Sequence, residues 1–401
     1  MPWPYRMTLI ALAFVALPYI FVSWRLIKAL KILLPQYQRR VKRLVIGSAI
    51  FLNLLPVFVV VTYLTGSSSR FIYGTEVNFL DILVVFPFWL GFLTIFESFF
   101  YFILFSIIDL VISKRINENK IIWQRRFSAI KIIFIILMFC NVLIVTAIDT
   151  YTVKTTEFNA VIEKLPSELD GLKIALVGDL QIDRFTQETK IKAFYDALNQ
   201  SNPDLLLFAG DLVTRGTFYI PQGLNVLCDT KANIERIACV GDHDIWSNAQ
   251  QISRGLVNCG WIFLDNQHHL TGFQGKQILI TGVTYVYSRR SNPDRLKQLL
   301  GDAPTADVKI LLVHQPSRLV IDFARQYGYH IMLAGHTHGG QIVFKPFGLT
   351  LTPTMFENNY YSGFFLLDKL NLFITNGIGL TMIPLRYRAP AEIQQITLRK
   401  N

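Results

Sequence analysis

Charged residues are scarce in this chain, and the scarcity is uneven. Only 17% of the 401 residues are charged while 52% are apolar, more hydrophobic than a soluble globule. Residues 1–150 hold 15 Lys+Arg against 6 Asp+Glu, a net +9, and residues 151–401 hold 24 against 22, a net +2. The basic excess therefore sits on the apolar half. A nucleic-acid binder would carry it on a folded domain, so no nucleic acid is expected as a partner. Four cysteines, no two at metal-knuckle spacing, exclude a zinc knuckle. Cys140 falls in an apolar run, and Cys239, ending another, reads as a small buried hydrophobe. Among Cys228, Cys239 and Cys259 an oxidising compartment would allow one disulfide, whose partners the sequence does not select. With one basic residue ahead of it, no small-x-small cleavage site after it and further runs behind it, the first apolar run is expected to be retained and not cleaved as a signal peptide. Repeats and low-complexity segments are absent.

What the first half does have is apolar runs long enough for a hydrocarbon core, which needs roughly 18–20 residues. Four spans are expected, at about 7–24, 44–64, 88–112 and 130–148. Pro87 is expected to part an interfacial stretch from the third. Asn53 and Pro56 read as packing and kink features, and Glu97, costly inside a span, as protonated or paired with a neighbouring helix. The first loop carries Lys28, Lys31, Arg39, Arg40, Lys42 and Arg43, and the third Lys114, Arg115, Lys120, Arg125, Arg126 and Lys131. The second has only Arg70, opposed by Glu76 and Asp81. Both basic loops should face the cytoplasm, which puts the C-terminal domain outside it. The sequence thus predicts a four-helix transmembrane region over 1–150, a linker over 151–170 and an α/β domain over 171–401.

In that domain short β-branched runs alternate with amphipathic stretches. Strands are predicted at 172–177, 204–209, 235–240, 277–282, 308–313 and 330–334, and helices at 187–200, 248–259, 293–300 and 317–328. A β-rich tail covers 364–367, 371–375 and 392–398. Such alternation implies sheets covered by helices.

Four of the seven histidines fall just beyond the C-terminal ends of predicted strands: His243, His314, His336 and His338. They accompany the clusters Gly178-Asp179-Leu180-Gln181, Gly210-Asp211-Leu212-Val213, Gly241-Asp242-His243-Asp244 and Gly335-His336-Thr337-His338. Taken singly, an aspartate after glycine is equally a helix cap or an Asx turn, and His314 could be a buried structural histidine. Five loops converging on one rim of an α/β sheet instead place these groups where ligands bind. Carboxylates with imidazoles suit paired divalent ions such as Mn²⁺, Fe²⁺ or Zn²⁺. Two such ions can clamp the attacking and departing oxygens of a phosphate ester and acidify a bridging water.

With these motifs in order, the region 172–398 resembles the calcineurin-like metallophosphoesterase superfamily. The run Gly335-His-Thr-His-Gly-Gly-Gln341, with Asn376-Gly-Ile-Gly379 and Pro384-Leu-Arg386, is similar to its bacterial membrane-associated branch. The resemblance implies a two-sheet αββα metallophosphoesterase sandwich and two divalent ions, Mn²⁺ foremost, with Fe²⁺, Zn²⁺ or Mg²⁺ as alternatives. It implies that Asp179 and His338 hold the first ion, that Asp211 bridges, and that Asp242, His314 and His336 hold the second. His243 would face the phosphoryl group, with Asp244 orienting it. Two residues depart from the pattern D-x-H … G-N-H: Gln181 replaces a metal-binding His, leaving ligand and supporting roles both open, and Asp242 replaces Asn. The more oxygen-rich set favours Mn²⁺ or Mg²⁺ over Zn²⁺. The expected activity is hydrolysis of a phosphate mono- or diester, with the lipid bilayer and a phosphorylated small-molecule or lipid substrate as partners. The alternative is a membrane sensor with a degenerate phosphoesterase site.

Overall fold

The computed structural model describes residues 3–67, 74–116, 119–186 and 188–401. Arg70, the serines at 68 and 69, and Gln187 at the head of a predicted helix lie outside the described residues. The chain forms two compact units: Met1–Ala147 with Phe344–Thr350 and Met382–Pro384, and Ile148–Val343 with Leu351–Thr381 and Leu385–Asn401.

The first unit is helical: α1 (Trp3–Leu33), α2 (Gln38–Leu52), α3 (Leu54–Leu64), α4 (Phe86–Arg115) and most of α5 (Lys120–Tyr151). Among the described residues three helices are long and apolar enough to cross a membrane, Tyr5–Leu33, Asp81–Arg115 and Lys120–Tyr151. A fourth is reached only if α2 and α3, bent by 45°, count as one broken span. The bend falls at Asn53, whose side-chain amide donates to Ala49 O at 2.8 Å. Pro56, three residues on, lacks the N–H that would bridge the break. Pro87 does not divide the third run as expected. It sits in the first turn of α4, where a missing N–H costs nothing, and a π-helical turn, Asp81–Val85, runs straight into that helix. Glu97 is fully buried. Asp109 accepts from Lys131 Nζ at 3.2 Å and Trp123 Nε1 at 3.3 Å, with Arg25 at 3.6 Å. A half-buried carboxylate in an apolar helix is thereby paired with cations from two other helices.

The second unit opens with a correction. Half of the stretch expected to be linker is a strand, β1 (Val153–Ile162), paired in parallel with β14 (Ala391–Lys400) from Val153↔Ala391 to Ile162↔Lys400. Its Thr, Lys and Glu side chains suit a sheet edge half open to water. The first sheet has the order β1-β14-β2-β3-β4-β5, with β2 Lys173–Val177, β3 Leu205–Phe208, β4 Glu235–Cys239 and β5 Ile262–Leu264. The second runs β12-β13-β11-β10-β7-β6, with β6 Gln267–Phe273, β7 Lys276–Val283, β10 Val308–Val313, β11 Ile331–Ala334, β12 Gly363–Leu367 and β13 Leu370–Ile374. Tyr285–Val286 (β8) and Arg289–Arg290 (β9) make a small ribbon.

Strand alternation assigns the layers. Ile174, Leu176, Leu205 and Leu207 share one apolar cluster with Ile278, Ile280, Ile310, Leu312 and Leu333, so the two sheets pack face to face. Their neighbours Ala175, Val177, Leu206 and Phe208 pack with Phe194 of α6 (Glu188–Ser201), Val226 of α7 (Ile220–Cys228) and Ile252 and Leu256 of α9 (Ala249–Asn258). On the far side, Leu311 and Val313 meet Leu296 of α10 (Pro293–Gly301) and Val320 of α11 (Arg318–Gln326). The layering is α-β-β-α. Cys228 and Cys259 form a disulfide tying the end of α7 to the end of α9, while Cys239 is free and buried and Cys140 free and exposed.

Candidate metal centre

Each cluster picked out by motif follows a strand of this sandwich. Asp179 and Gln181 follow β2, Asp211 follows β3, and Asp242 opens the short helix α8 (Asp242–Ser247) after β4. His314 follows β10 directly, and His336 and His338 follow β11. Asp179, Gln181, Asp211, His336 and His338 all have positive φ, between 46° and 72°. A side chain costs about 1–2 kcal/mol there, and such strain collects where function fixes the backbone. The loops hold one another in it: Asp179 N donates to Gly210 O at 2.9 Å and Gln181 N to Asp211 O at 3.1 Å. Gly241 permits the approach, because a Cβ there would collide with the Asp211 carboxylate.

Two overlapping groups of donor atoms result. Asp179, Asp211 and His314 form one, Asp242, His314 and His336 the other, and within each the ligand atoms lie within 4.8 Å of one another. His314 Nε2 stands 3.2 Å from Asp211 Oδ2 and 2.9 Å from Asp242 Oδ1, while its Nδ1 faces Ala209 O at 2.7 Å. His338 Nε2 lies 3.4 Å from Asp179 Oδ1. His336 Nδ1 lies 3.3 Å from Asp242 Oδ1, and its backbone N–H donates to the Asp179 carboxylate at 3.0 Å. Gln181 donates through Nε2 to Asp211 Oδ2 at 2.8 Å, leaving Oε1 buried without a hydrogen-bond partner.

The charges show what the site wants. Burial, with Asp211 alongside, raises the Asp179 carboxyl to about 6 against the pull of His314 and His336. Burial would lower His336, yet its bonds to Asp242 and Glu357 raise it to about 9. His314 is likewise raised well above the usual imidazole range by Asp211 and Asp242, despite burial. Crowded buried carboxylates draw in positive charge. Protons on imidazoles supply some of it, and divalent cations would supply more. His338 is pushed the other way, by burial and by Arg386, and so stays neutral as a ligand must. The unpartnered amide oxygen of Gln181 also fits: it is a hard donor aimed at no protein hydrogen.

Asp244 does not orient His243 as expected. Its buried carboxylate accepts N–H groups from Gly241, Asp211 and Leu212 at 2.8–2.9 Å and so binds two site loops together. The His243 ring is set instead by Thr214 O, 2.5 Å from Nδ1, and its backbone N–H donates to Asp211 Oδ1 at 2.9 Å. Sequence reading missed Glu357, which receives His336 Nε2 at 3.1 Å and Gln315 Nε2 at 3.0 Å. It also assigned no role to Arg386, whose only signal was the Pro-Leu-Arg motif.

Residues 172–340 match the family described as calcineurin-like phosphoesterase. This part of the chain is a calcineurin-like phosphoesterase domain. The metallophosphoesterase YkuE of Bacillus subtilis is 28% identical over 257 residues, covering 63% of this chain and 87% of that protein. A transmembrane protein with a metallophosphoesterase domain from Danio rerio is 23% identical over 256 residues, 62% of this chain and 57% of that one. A Helicobacter pylori (strain J99) metallophosphoesterase is 28% identical over 252 residues, 61% and 64% respectively. The matched region thus spans most of the Bacillus protein but under two thirds of the other two. A calcineurin-like phosphoesterase domain is a metal-dependent hydrolase, and both donor groups lie on its strand-end rim.

Proposed function

We propose that the chain is a membrane-anchored phosphohydrolase that cleaves a phosphate mono- or diester with two divalent cations. The observation that carries this is the position of His314, a member of both donor groups. Asp179, Gln181, Asp211 and His338 would hold the first cation, and Asp242, His314 and His336 the second, with Asp211 between them. When bound, paired cations acidify water and neutralise phosphoryl oxygens. An oxygen-rich donor set favours Mn²⁺ or Mg²⁺. His243 has Nδ1 against the Thr214 carbonyl, which fixes the ring and leaves Nε2 to pass a proton to the departing oxygen.

Beside these histidines stand exposed aromatics. Trp246 lies 4.8 Å from His243 and Tyr287 5.5 Å from His336, ring centre to ring centre, while Phe356 precedes Glu357. These are 54%, 46% and 95% exposed. Apolar groups at the mouth of a phosphate site, in a chain with membrane-length helices, support a lipid-linked ester as substrate. The basic loops and the Cys228–Cys259 disulfide both support an extracytoplasmic catalytic domain. A periplasm- or lumen-restricted reporter fused to the C-terminus should therefore be active, and a fusion active only in the cytoplasm would reverse the orientation.

The deciding experiment is turnover. With Mn²⁺ the purified protein should hydrolyse a chromogenic phosphodiester or monoester. His243→Ala should cut kcat roughly 10²–10⁴-fold while Mn²⁺ content stays unchanged. A wild type inert across several metals and esters would leave the sensor reading in its place.

A further inference from the structure

Among the described residues Arg386 is the largest of the fully buried side chains, and its guanidinium is turned to backbone. Nε donates to Gly379 O at 3.1 Å. Nη1 donates to His338 O at 3.1 Å and Ala389 O at 3.0 Å. Nη2 donates to Asn376 O at 2.7 Å, Gly379 O at 2.8 Å and Gly377 O at 3.3 Å. A planar fork of five N–H groups is what lets one residue gather so many carbonyls.

Those carbonyls belong to the backing of one cation site. The loop 376–379 lies directly against two of its side chains: a Cβ on Gly377 would strike Asp179 Cβ, and one on Gly379 would strike Gln181 Cβ. The same loop holds Asp179 by its carbonyl, through Ile378 N at 3.2 Å and Gly379 N at 2.7 Å. The third residue, His338, is held by Arg386 itself. The second site is braced elsewhere, His336 by Glu357 and His314 by Ala209 O. Arg386 is anchored in turn, its backbone N–H donating to Thr150 Oγ1 at 2.9 Å in the last turn of α5.

We propose that Arg386 is the positioning residue of the first cation site, setting Asp179, Gln181 and His338 as one body and leaving the second site to its own supports. This rests on the two-cation reading above. The test uses the full chain in detergent, with Mn²⁺ as the probe, followed by titration and electron paramagnetic resonance. The wild type should bind two Mn²⁺ with the spectrum of an exchange-coupled pair. Arg386→Lys, with three donors in place of five, should keep one Mn²⁺ at wild-type affinity, weaken the other about 10–100-fold, and show the spectrum of an isolated ion. Two ions at wild-type affinity, or equal weakening of both, overturns the proposal. Should Arg386→Lys fail to accumulate, Thr150→Val decides: it removes the anchor alone and should weaken one ion roughly threefold, and an unchanged pair overturns the proposal. A wild type that binds a single Mn²⁺ removes the two-cation reading and the proposal together, whereas a coupled wild-type pair with an unselective variant removes only the latter.

Discussion

The two cation sites proposed for this rim draw on different supports. Around the first, Asp179, Gln181 and His338 rest on main chain: the loop 376–379 and the carbonyls that Arg386 gathers. Around the second the bracing is mixed, with Glu357 and Gln315 gathered at the outer nitrogen of His336 and Ala209 O facing Nδ1 of His314. The donors differ in the same sense. The first site has an amide where an imidazole would bind harder, and the second has the added carboxylate of Asp242. A site with a weak donor among its ligands is backed by main chain, and one rich in ligands is backed in part by adaptable side chains. The second cation should therefore bind more tightly, and the first should be the exchangeable one.

The severest way to break this contrast is His314→Ala. With Nδ1 facing Ala209 O, His314 has only Nε2 to offer, so the second ion should be lost, and turnover should fall more than about 10³-fold. Loss of both ions, read by elemental analysis, would show that the first site does not stand without the second.

A second test separates the sites by pH. In the metal-free protein Asp179 is raised from 3.8 to about 6 and His336 from 6.5 to about 9. Both folded values lie above the unfolded ones, so the bound proton stabilises the fold. The Asp179 contribution is whole below pH 3.8 and gone above about 6, while the His336 contribution is whole below 6.5 and gone above about 9. The Tm of chelated protein should fall between pH 6.5 and 9, and the gain on adding Mn²⁺ should be larger at pH 9 than at 6.5. A chelated Tm that climbs across that window contradicts the charge assignment of the second site.

Smallest is Gln181→His, which should tighten Zn²⁺ at the first site by about 10-fold without moving the second. Indifference to the change would mean that Gln181 is a support for Asp211 and not a ligand.

Much of this rim was legible in the primary structure because its signal is local. A β-branched run, a glycine and an aspartate mark a strand and its exit within a few residues, and a handful of such exits leave one common place to meet. What escaped depended on distance or direction. Spacing puts Asp244 beside His243 but does not say that its carboxylate turns back to three N–H groups. Glu357 sits in a long excursion after His338, where nothing in its neighbours marks it. β1 reads as a polar lead-in because its partner, β14, lies at the other end of the domain. Pro87 misled for the opposite reason: proline breaks a helix inside it and not at its first turn, and the sequence alone did not show where that helix began.

The pairing of β1 with β14 has a consequence for biogenesis. In the first sheet β14 lies between β1 and β2, so the strand made after all its sheet-mates fills an interior position. Until the ribosome has released that segment, β1, the strand that follows α5 in the chain, has no neighbour and β2 has a bare edge. Such non-local closure is slow and leaves adhesive edges uncovered meanwhile. A message truncated before residue 391 would therefore yield an open first sheet, a natural target for proteases.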